Sequence, residues 1–423
     1  MTKHIVLVEN SATGAGEVAY EIARKKNYRL TLLARDPGRY MHIPGQGTVE
    51  CVNCDTNDLE AMLKVARDID AKHPIDGITT LADFFVPQAS YLANNFGTPS
   101  LNYEAAMGVR NKYFMRKTLQ RTVPGLNPAF HESLDIRDAK EFARENGFPV
   151  IAKPQNWNDS IDVKRIENEA QLEEYFEHAK TWTENSAGQK IIPRVLLEGY
   201  IVGREFSVET VQAKGGNREL IGVTSNVLTG LERGHFAELA AYFPHRGEEA
   251  EILFGAVSQA LDALTIDCGV IHTECRIEQG RVKIIEVNPR LIGDMVGSHV
   301  IACALGVNPV EAVLDIAIGE HRGWKPTKQE GGGICGVVTE KAGIFEGFSN
   351  LDEVTSMPGI RFVKVLAQSG SLVKPPSSNG DILALIIAQH RDPLGALDLA
   401  RQAAMKCCFR ISESAASTYT QGN

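Results

Sequence analysis

The segment from residue 269 to 290 constrains the fold most, because two runs of alternating polar and apolar residues flank a glycine at position 280. Alternate residues of a β-strand face the same side of a sheet. The segment therefore predicts an antiparallel hairpin with one polar and one apolar face. The predicted polar face holds His272, Glu274, Arg276, Ile284, Glu286, Asn288 and Arg290, and the apolar face holds Ile271, Ile277, Ile285 and Val287.

The predicted turn is Gln279-Gly280-Arg281, and an odd-length loop there places Glu274 and Glu286 on the same face. Two carboxylates 4 Å apart repel by about 4 kcal/mol at an effective dielectric constant of 20. A divalent cation removes that cost, and Glu and Asn oxygens with open positions for phosphate suit Mg²⁺. A hairpin with a merely solvated polar face is the alternative that the alternation leaves open.

Bulk properties exclude several classes of protein. A chain of 423 residues is too long for one core, so two to four domains are expected. No apolar run is long enough to span a membrane, and no signal peptide is evident, so a cytoplasmic protein without membrane contact is expected. The net charge of −9 opposes nucleic-acid binding. Cys51 and Cys54 form a lone C-x-x-C without the second pair that a zinc site needs.

Strand and helix patterns alternate over the first hundred residues, which predicts a doubly wound parallel sheet. The small-residue segment from Ser11 to Gly16 is interpreted as a structural turn in preference to a nucleotide loop, because it lacks the full glycine spacing. The fold class is thus α/β and α+β with several domains. The predicted units are 1–105 (parallel sheet), 106–199, 200–325, 326–412 (C-terminal α+β lobe) and 413–423 (flexible tail).

Glu274 together with the run Glu286-Val287-Asn288-Pro289-Arg290 resembles the metal-binding hairpin of the ATP-grasp superfamily of carboxylate–amine and carboxylate–thiol ligases. Lys112 and Lys153 resemble the two nucleotide-binding lysines of that superfamily. The pair Glu198 and Glu205 resembles its hinge. These elements occur in the expected order along the chain, so the resemblance implies an ATP-grasp fold.

The resemblance implies ATP and Mg²⁺ as cofactors, with Mn²⁺ able to substitute. Glu274, Glu286 and Asn288 would then hold the metal. The two lysines would contact phosphates, and the hinge with Tyr200 and Ile201 would meet adenine. Glu205 would bind ribose, and Arg290 would stabilise the transferring phosphoryl group with Lys153 as the second catalytic residue.

The loop from Pro154 to Ser160 departs from the superfamily pattern, because it lacks the glycines that usually close over the phosphates. Asn and Asp tolerate left-handed backbone better than other non-glycine residues, so the turn is still expected to form. Ser160 is expected to keep a phosphate contact. Asp159 would repel a triphosphate unless its carboxylate turned away.

The runs around His272 and from Asn288 to Asp294 look like those of the bacterial L-amino-acid ligases, which make dipeptides. A small-molecule carboxylate, expected to be an amino acid, would then be joined to an amine. The candidate substrate residues are His235, Glu238, His272, Gly293 and Asp294. Asp294 could hold an α-ammonium group or serve as a helix N-cap, and His272 could serve the substrate or only the structure. Dimers are common among similar ligases, so a homodimer is one expected assembly.

Two competing functions remain at this stage. A bicarbonate-dependent carboxylase or a purine-pathway ligase would share the nucleotide site, although such carboxylases usually have the glycine-rich lid. A nonenzymatic nucleotide-binding protein would need no arginine for a transition state, so Arg290 argues against it.

Overall fold

The computed structural model describes residues 2–11 and 14–413. The first unit is a parallel sheet with strand order β3-β2-β1-β4. Ile5 and Leu7 of β1 face one helical layer and Val6 and Val8 face the other, which confirms the doubly wound arrangement. Its elements are β1 (His4–Val8), α1 (Ala15–Lys26), β2 (Arg29–Ala34), β3 (Glu50–Asn53), α2 (Leu59–Asp70), β4 (Gly77–Thr79) and α3 (Val86–Phe96).

The sequence from 103 to 121 predicts one continuous helix, but the structure has two helices there, α4 (Tyr103–Arg110) and α5 (Lys112–Thr122). Asn111 separates them because its backbone is extended and its side chain accepts hydrogen bonds from the amides of Tyr113 and Phe114, at 3.0 and 3.1 Å. Such an N-cap starts a new helix. The amide of Lys112 donates instead to the carbonyl of Gln155, so Lys112 begins α5 beside the second sheet.

The second sheet is antiparallel with order β5-β8-β6-β7, and two helices pack on it. The sequence from 161 to 166 predicts a strand, but β7 begins only at Lys164, because residues 159–162 form turns. The elements are β5 (Phe130–Ser133), α6 (Ile136–Asn146), β6 (Val150–Pro154), β7 (Lys164–Ile166), α7 (Glu169–Ala179) and β8 (Val195–Gly199).

The third sheet has eight antiparallel strands in the order β13-β12-β9-β10-β11-β14-β18-β16. The sequence at 234–238, ending at 242–244, predicts a loop at the substrate wall, but Ala237–His245 form the central strand β11. Its elements up to residue 317 are β9 (Arg204–Gln212), β10 (Glu219–Thr229), β11 (Ala237–His245), α8 (Glu248–Ala263), β12 (Gly269–Glu278), β13 (Arg281–Asn288), α9 (Ile301–Leu305) and α10 (Pro309–Ala317).

The C-terminal residues extend this sheet across position 325 and add a small sheet of order β17-β15-β19. The remaining elements are β14 (Gly331–Val337), β15 (Gly343–Phe348), α11 (Leu351–Thr355), β16 (Ile360–Val365), β17 (Leu372–Val373), β18 (Ala384–His390), α12 (Pro393–Lys406) and β19 (Phe409–Ser412). Apart from Glu413, the predicted tail lies outside the described residues, as do positions 12 and 13 of the predicted turn.

In the described part of the chain, no single helix has the length and apolarity needed to cross a membrane. Val296–Leu305 and Pro309–Ala317 meet that test only as a pair, across a bend of 111°.

Candidate active site

The hairpin β12–β13 brings the predicted polar residues together. Glu274 pairs directly with Glu286, and His272 pairs with Asn288 in the antiparallel register. Directly opposite residues of an antiparallel pair have their Cβ atoms about 4.5–5.5 Å apart on one face. The prediction that the two carboxylates share a face is therefore confirmed.

The odd-length loop from which that arrangement was predicted is wrong. Glu278 pairs with Arg281, so the loop has two residues, Gln279 and Gly280, whose φ values are 49° and 76°. A two-residue turn with positive φ at both positions is the common type I′ hairpin turn. Continued without interruption, this register would place Glu274 opposite Ile285.

A β-bulge between Glu274 and Cys275 corrects the register, because Cys275 pairs with Ile284 and Glu274 with Glu286. Ile285 is the extra residue and lines the cavity, whereas Ile284 is buried in the apolar core with Ile271. The predicted faces of Ile284 and Ile285 are thus exchanged. A bulge inserts one residue into one strand, which reverses the facing of the residues beyond it.

Charged partners surround the two carboxylates. The Lys112 ammonium lies 2.8 Å from Glu286, and His272 Nε2 lies 3.2 Å from Glu274. His272 Nδ1 lies 2.7 Å from Glu209, a fully buried acid that sequence reasoning missed. Burial lowers the pKa of His272, but the Glu209 and Glu274 carboxylates raise it to about 10. His272 is therefore a buried cation between two acids, and this arrangement fixes its ring.

Lys153 extends from β6 into the same cavity, where its ammonium lies 2.9 Å from Glu198 Oε2. The other oxygen of Glu198 accepts a hydrogen bond of 2.6 Å from Arg116 Nε. Burial raises the pKa of Glu198, but Arg116 and Lys153 outweigh it and lower that pKa to about 2. The sequence suggested Glu198 as an adenine contact; the structure places its carboxylate between two cations.

The hinge segment carries Tyr200, Ile201 and Glu205 along the wall of the cavity. Arg276 donates a hydrogen bond of 2.7 Å to the Ile201 carbonyl and lies 3.0 Å from Glu205. The Arg276 guanidinium also lies 5.5 Å from the centre of the Tyr200 ring. Arg276 therefore fixes the backbone, the acid and the aromatic ring of the hinge, a role that its alternation in the hairpin did not reveal.

Arg290 follows β13 and is held by a residue of the first unit. Its Nε lies 3.2 Å from Asp83 Oδ1, and its Nη1 donates to the Leu291 carbonyl at 3.0 Å. Arg110 lies 2.7 Å from the other oxygen of Asp83. Burial raises the pKa of Asp83, but Arg110 and Arg290 lower it to about 2. Asp83 follows β4 at the carboxyl edge of a parallel sheet, where ligand sites concentrate, and this position could have identified it.

The glycine-free loop covers the cavity with left-handed backbone at Asp159, Ser160 and Asp162, whose φ values are 56°, 55° and 56°. Ser160 and Asp159 both line the cavity. The Asp159 carboxylate is not turned away, and burial together with Asp294 raises its pKa to about 6. Asp162 anchors the loop by accepting a hydrogen bond of 2.7 Å from Trp182 Nε1.

A second group of acids, Glu238 and Asp294, lies at the far end of the cavity with Gly293. Asn379 of the C-terminal lobe donates a hydrogen bond of 2.8 Å to the Asp294 carboxylate and accepts one of 2.9 Å from the backbone amide of Glu238. Burial raises the pKa of both acids.

Geometry excludes the N-cap alternative for Asp294 and removes His235 from the predicted substrate residues. Asp294 has a φ of 48° and makes no capping hydrogen bond to the next helical turn, so the N-cap reading is wrong. His235 does not line the cavity and instead lies 3.3 Å from Lys164 Nζ.

Two family signatures match the chain. Residues 146–299 match the family described as ATP-grasp domain, and residues 337–412 match the L-amino acid ligase C-terminal domain 2. The uncharacterized protein y4rH of Sinorhizobium fredii is 24% identical over 90% of this chain and 77% of its own length. A carbamoyl phosphate synthase large chain of Caldanaerobacter subterraneus is 28% identical, and the match covers 44% of this chain and only 16% of that protein.

Three solved structures share the fold over 97% of this chain. An L-amino acid ligase from Bacillus licheniformis has a TM-score of 0.80 at 23% identity and is covered over 99% of its length. Phosphoribosylglycinamide synthetase from Anaerococcus prevotii has a TM-score of 0.71 at 16% identity and 100% coverage. The biotin carboxylase domain of a Hydrogenobacter thermophilus 2-oxoglutarate carboxylase, in complex with MgADP and bicarbonate, has a TM-score of 0.68 at 18% identity and 91% coverage.

Proposed function

We propose that the chain is an ATP-grasp ligase that joins two amino acids in an ATP-dependent reaction, because residues 146–299 match the ATP-grasp domain and residues 337–412 match the L-amino acid ligase C-terminal domain 2. The observation that carries the proposal is the hairpin register. It sets Glu274 against Glu286 in a cavity that also holds Lys112, Lys153 and Arg290.

The donor set fits Mg²⁺. Two carboxylates and the Asn288 amide supply oxygen ligands on one face. The Lys112 ammonium already places a positive charge beside Glu286, as a metal ion would. Within residues 2–11 and 14–413, no three His, Cys, Asp or Glu side chains are grouped so that they alone could hold a metal ion. Mg²⁺ commonly takes one or two carboxylates from the protein and its other ligands from phosphates and water. Bound there, the metal would neutralise phosphate charge and orient the terminal phosphoryl group.

The cavity also fits ATP. Lys112 and Lys153 would contact its phosphates, and Ser160 in the loop above would add a hydroxyl. The hinge from Glu198 to Ile201 would border adenine, and Glu205 would face the ribose hydroxyls. Among the solved structures with this fold, one contains MgADP.

In the proposed reaction, a carboxylate oxygen of the first amino acid attacks the terminal phosphorus of ATP, and ADP leaves with the bridging oxygen. The nitrogen of the second amino acid then forms the C–N bond, phosphate departs with the electron pair of the broken C–O bond, and the amine proton is lost to solvent. Arg290, held by Asp83, would stabilise charge on the phosphoryl group and on the tetrahedral carbon's oxygen.

Substrate recognition is assigned to the end of the cavity beyond Arg290. Asp294 and Glu238 are acids whose described partners are neutral amide groups, so an α-ammonium group would supply the charge that they lack. His272 faces the same cavity, where it orients Glu274.

The test is phosphate release from the full chain with ATP and Mg²⁺ over all pairs of amino acids, with products identified by mass spectrometry. We expect phosphate release that requires two amino acids, together with a product lighter by one water than their sum. Phosphate release that needs bicarbonate and no amino acid would replace this proposal with the carboxylase alternative. Binding of ATP without turnover in any pair would favour a nonenzymatic role.

A further inference from the structure

Arg116 lies behind the catalytic hairpin and is completely buried in α5. We propose that Arg116 is a positioning residue that holds the β-bulge of β13 in place and thereby sets Glu286 opposite Glu274. The inference rests on the proposed function only in assigning a divalent cation to those two carboxylates.

The contacts of Arg116 with the hairpin are specific to the bulge. Its Nη1 donates to the carbonyl of Ile284 and its Nη2 to the carbonyl of Ile285, both at 2.7 Å. β13 is the edge strand of the eight-stranded sheet, so its outer carbonyls have no neighbouring strand. In a regular strand, consecutive carbonyls point to opposite edges, and one planar guanidinium cannot donate hydrogen bonds to both. The bulge turns the two carbonyls toward the same side, and Arg116 binds both.

The Nε group of Arg116 is linked to Lys153 through the Glu198 carboxylate. Arg116 Nε donates to Glu198 Oε1 at 2.6 Å, and Lys153 lies 2.9 Å from the second oxygen of the same carboxylate. One side chain therefore connects the hairpin to the sheet that carries Lys153. Asn127 holds Arg116 from the other side, since its amide donates 2.8 Å to the Arg116 carbonyl and its oxygen lies 3.3 Å from Nη1.

The chemical consequence follows from the register. If the bulge relaxed, Glu274 would face Ile285, and Glu286 would turn to the opposite side of the sheet. The two carboxylates would then no longer converge on one cation. Arg116 contacts none of the side chains proposed to hold the cation. It acts through the backbone carbonyls of Ile284 and Ile285.

The first variant is Arg116→Lys, which keeps the charge but provides one compact ammonium in place of a planar fork. It can reach Glu198 but cannot also bind both carbonyls. The probe is Mn²⁺, titrated into the full chain with saturating ADP and followed by electron paramagnetic resonance. We expect Mn²⁺ binding weakened about 10- to 100-fold, the range found when groups behind metal ligands are replaced. ADP affinity without metal should change less than about threefold, because the Glu198 contact to Lys153 persists.

Lys117→Gln is the matched control, because Lys117 is exposed on the same helix and one residue away. Its Mn²⁺ affinity should equal that of the unaltered chain. If circular dichroism shows that Arg116→Lys does not fold, Asn127→Ala is the second variant, because it removes the side chain that holds Arg116 and keeps the guanidinium. Its Mn²⁺ affinity is expected to be about threefold weaker.

The outcomes separate this inference from the proposed function. Unaltered Mn²⁺ affinity in folded Arg116→Lys, or equal weakening in Lys117→Gln, overturns the role of Arg116. A lowered melting temperature without loss of Mn²⁺ affinity also overturns it, because that result describes structural support only. Failure of the unaltered chain with ADP to bind Mn²⁺ at all instead removes the metal site itself.

Discussion

The acidic side chains at the two ends of the cavity have different neighbours, and their pKa values shift in opposite directions. At the end proposed to bind nucleotide (the nucleotide end), Glu198 and Glu274 each contact a buried cation, and their pKa values are lowered despite burial. At the end proposed to bind the amino acid (the substrate end), burial raises the pKa values of Glu238 and Asp294, whose described hydrogen-bond donors are the neutral amides of Asn226 and Asn379. Glu205 is intermediate, because burial raises its pKa although Arg276 opposes that rise.

The contrast indicates which end is preorganised. Acids that already have cations are fixed in place before any substrate binds, as a phosphoryl-transfer site requires. Carboxylates hydrogen-bonded only to neutral amides gain the most interaction energy when a cationic ligand binds. The substrate end should therefore determine specificity, and the nucleotide end should determine rate.

The largest effect is expected from Glu286→Gln at the nucleotide end. Loss of one carboxylate from the facing pair should reduce ligation on the order of 10³-fold, because a preorganised electrostatic contact is lost. Phosphate release and the melting temperature are the measurements, and the latter should change little. The exposed Glu251→Gln provides the same change of charge as a control. Full activity of Glu286→Gln would contradict the metal assignment.

Glu198→Gln tests whether the cations at this end also stabilise the fold. The pKa of Glu198 in the folded chain is about 2, below its ordinary value of 4.5, so its contribution is present above pH 4.5 and is lost as the pH falls toward 2. We expect Glu198→Gln to lower the free energy of unfolding by about 3 kcal/mol at pH 6, with the difference shrinking in acid. Urea unfolding between pH 6 and pH 3 measures this. A difference that stays constant with pH would mean that the ion pairs add no stability.

Asp294→Ala tests the substrate end. Removing the acid should raise the KM of the first amino acid about tenfold, as for loss of one charged hydrogen bond, and leave the KM of ATP within about twofold. Steady-state kinetics with both substrates varied will show this. The reverse pattern, with the ATP KM raised alone, would remove Asp294 from the substrate pocket.

The smallest effect concerns Asp159 in the covering loop. Its raised pKa of about 6 means that the carboxylate is charged above pH 6 and neutral below it. Because a charged carboxylate repels phosphate, we expect ADP affinity relative to Asp159→Asn to be severalfold weaker at pH 7.5 and equal at pH 5. Calorimetric titration with ADP at both pH values measures the ratio. A ratio that does not change with pH would show that Asp159 does not face the phosphates.

Alternation in the sequence was enough to place Glu286 and Asn288 on one face of their own strand, because strand periodicity is local. Glu274 faces them only because the bulge offsets the two-residue turn, which the sequence did not predict. Alternation could not reveal the bulge, whose stabilising contacts come from Arg116, far away in the sequence. The missed break at Asn111 was readable, since Asn followed by a helical run is a capping signal. Asp83 depends on packing between separate units and had only a weak positional signal.

The continuity of the eight-stranded sheet across residue 325 determines which part of the molecule can move. The strands β14, β18 and β16 are hydrogen-bonded into the same sheet as the catalytic hairpin, so the C-terminal lobe and the hairpin form one stiff body. The chain enters and leaves the four-stranded sheet with Lys153 through the segments 123–129 and 200–203, and hydrogen bonds such as that from Arg116 to Glu198 also link this sheet to the larger one. If nucleotide binds as proposed, we expect its exchange to require rotation of the four-stranded sheet against the eight-stranded sheet.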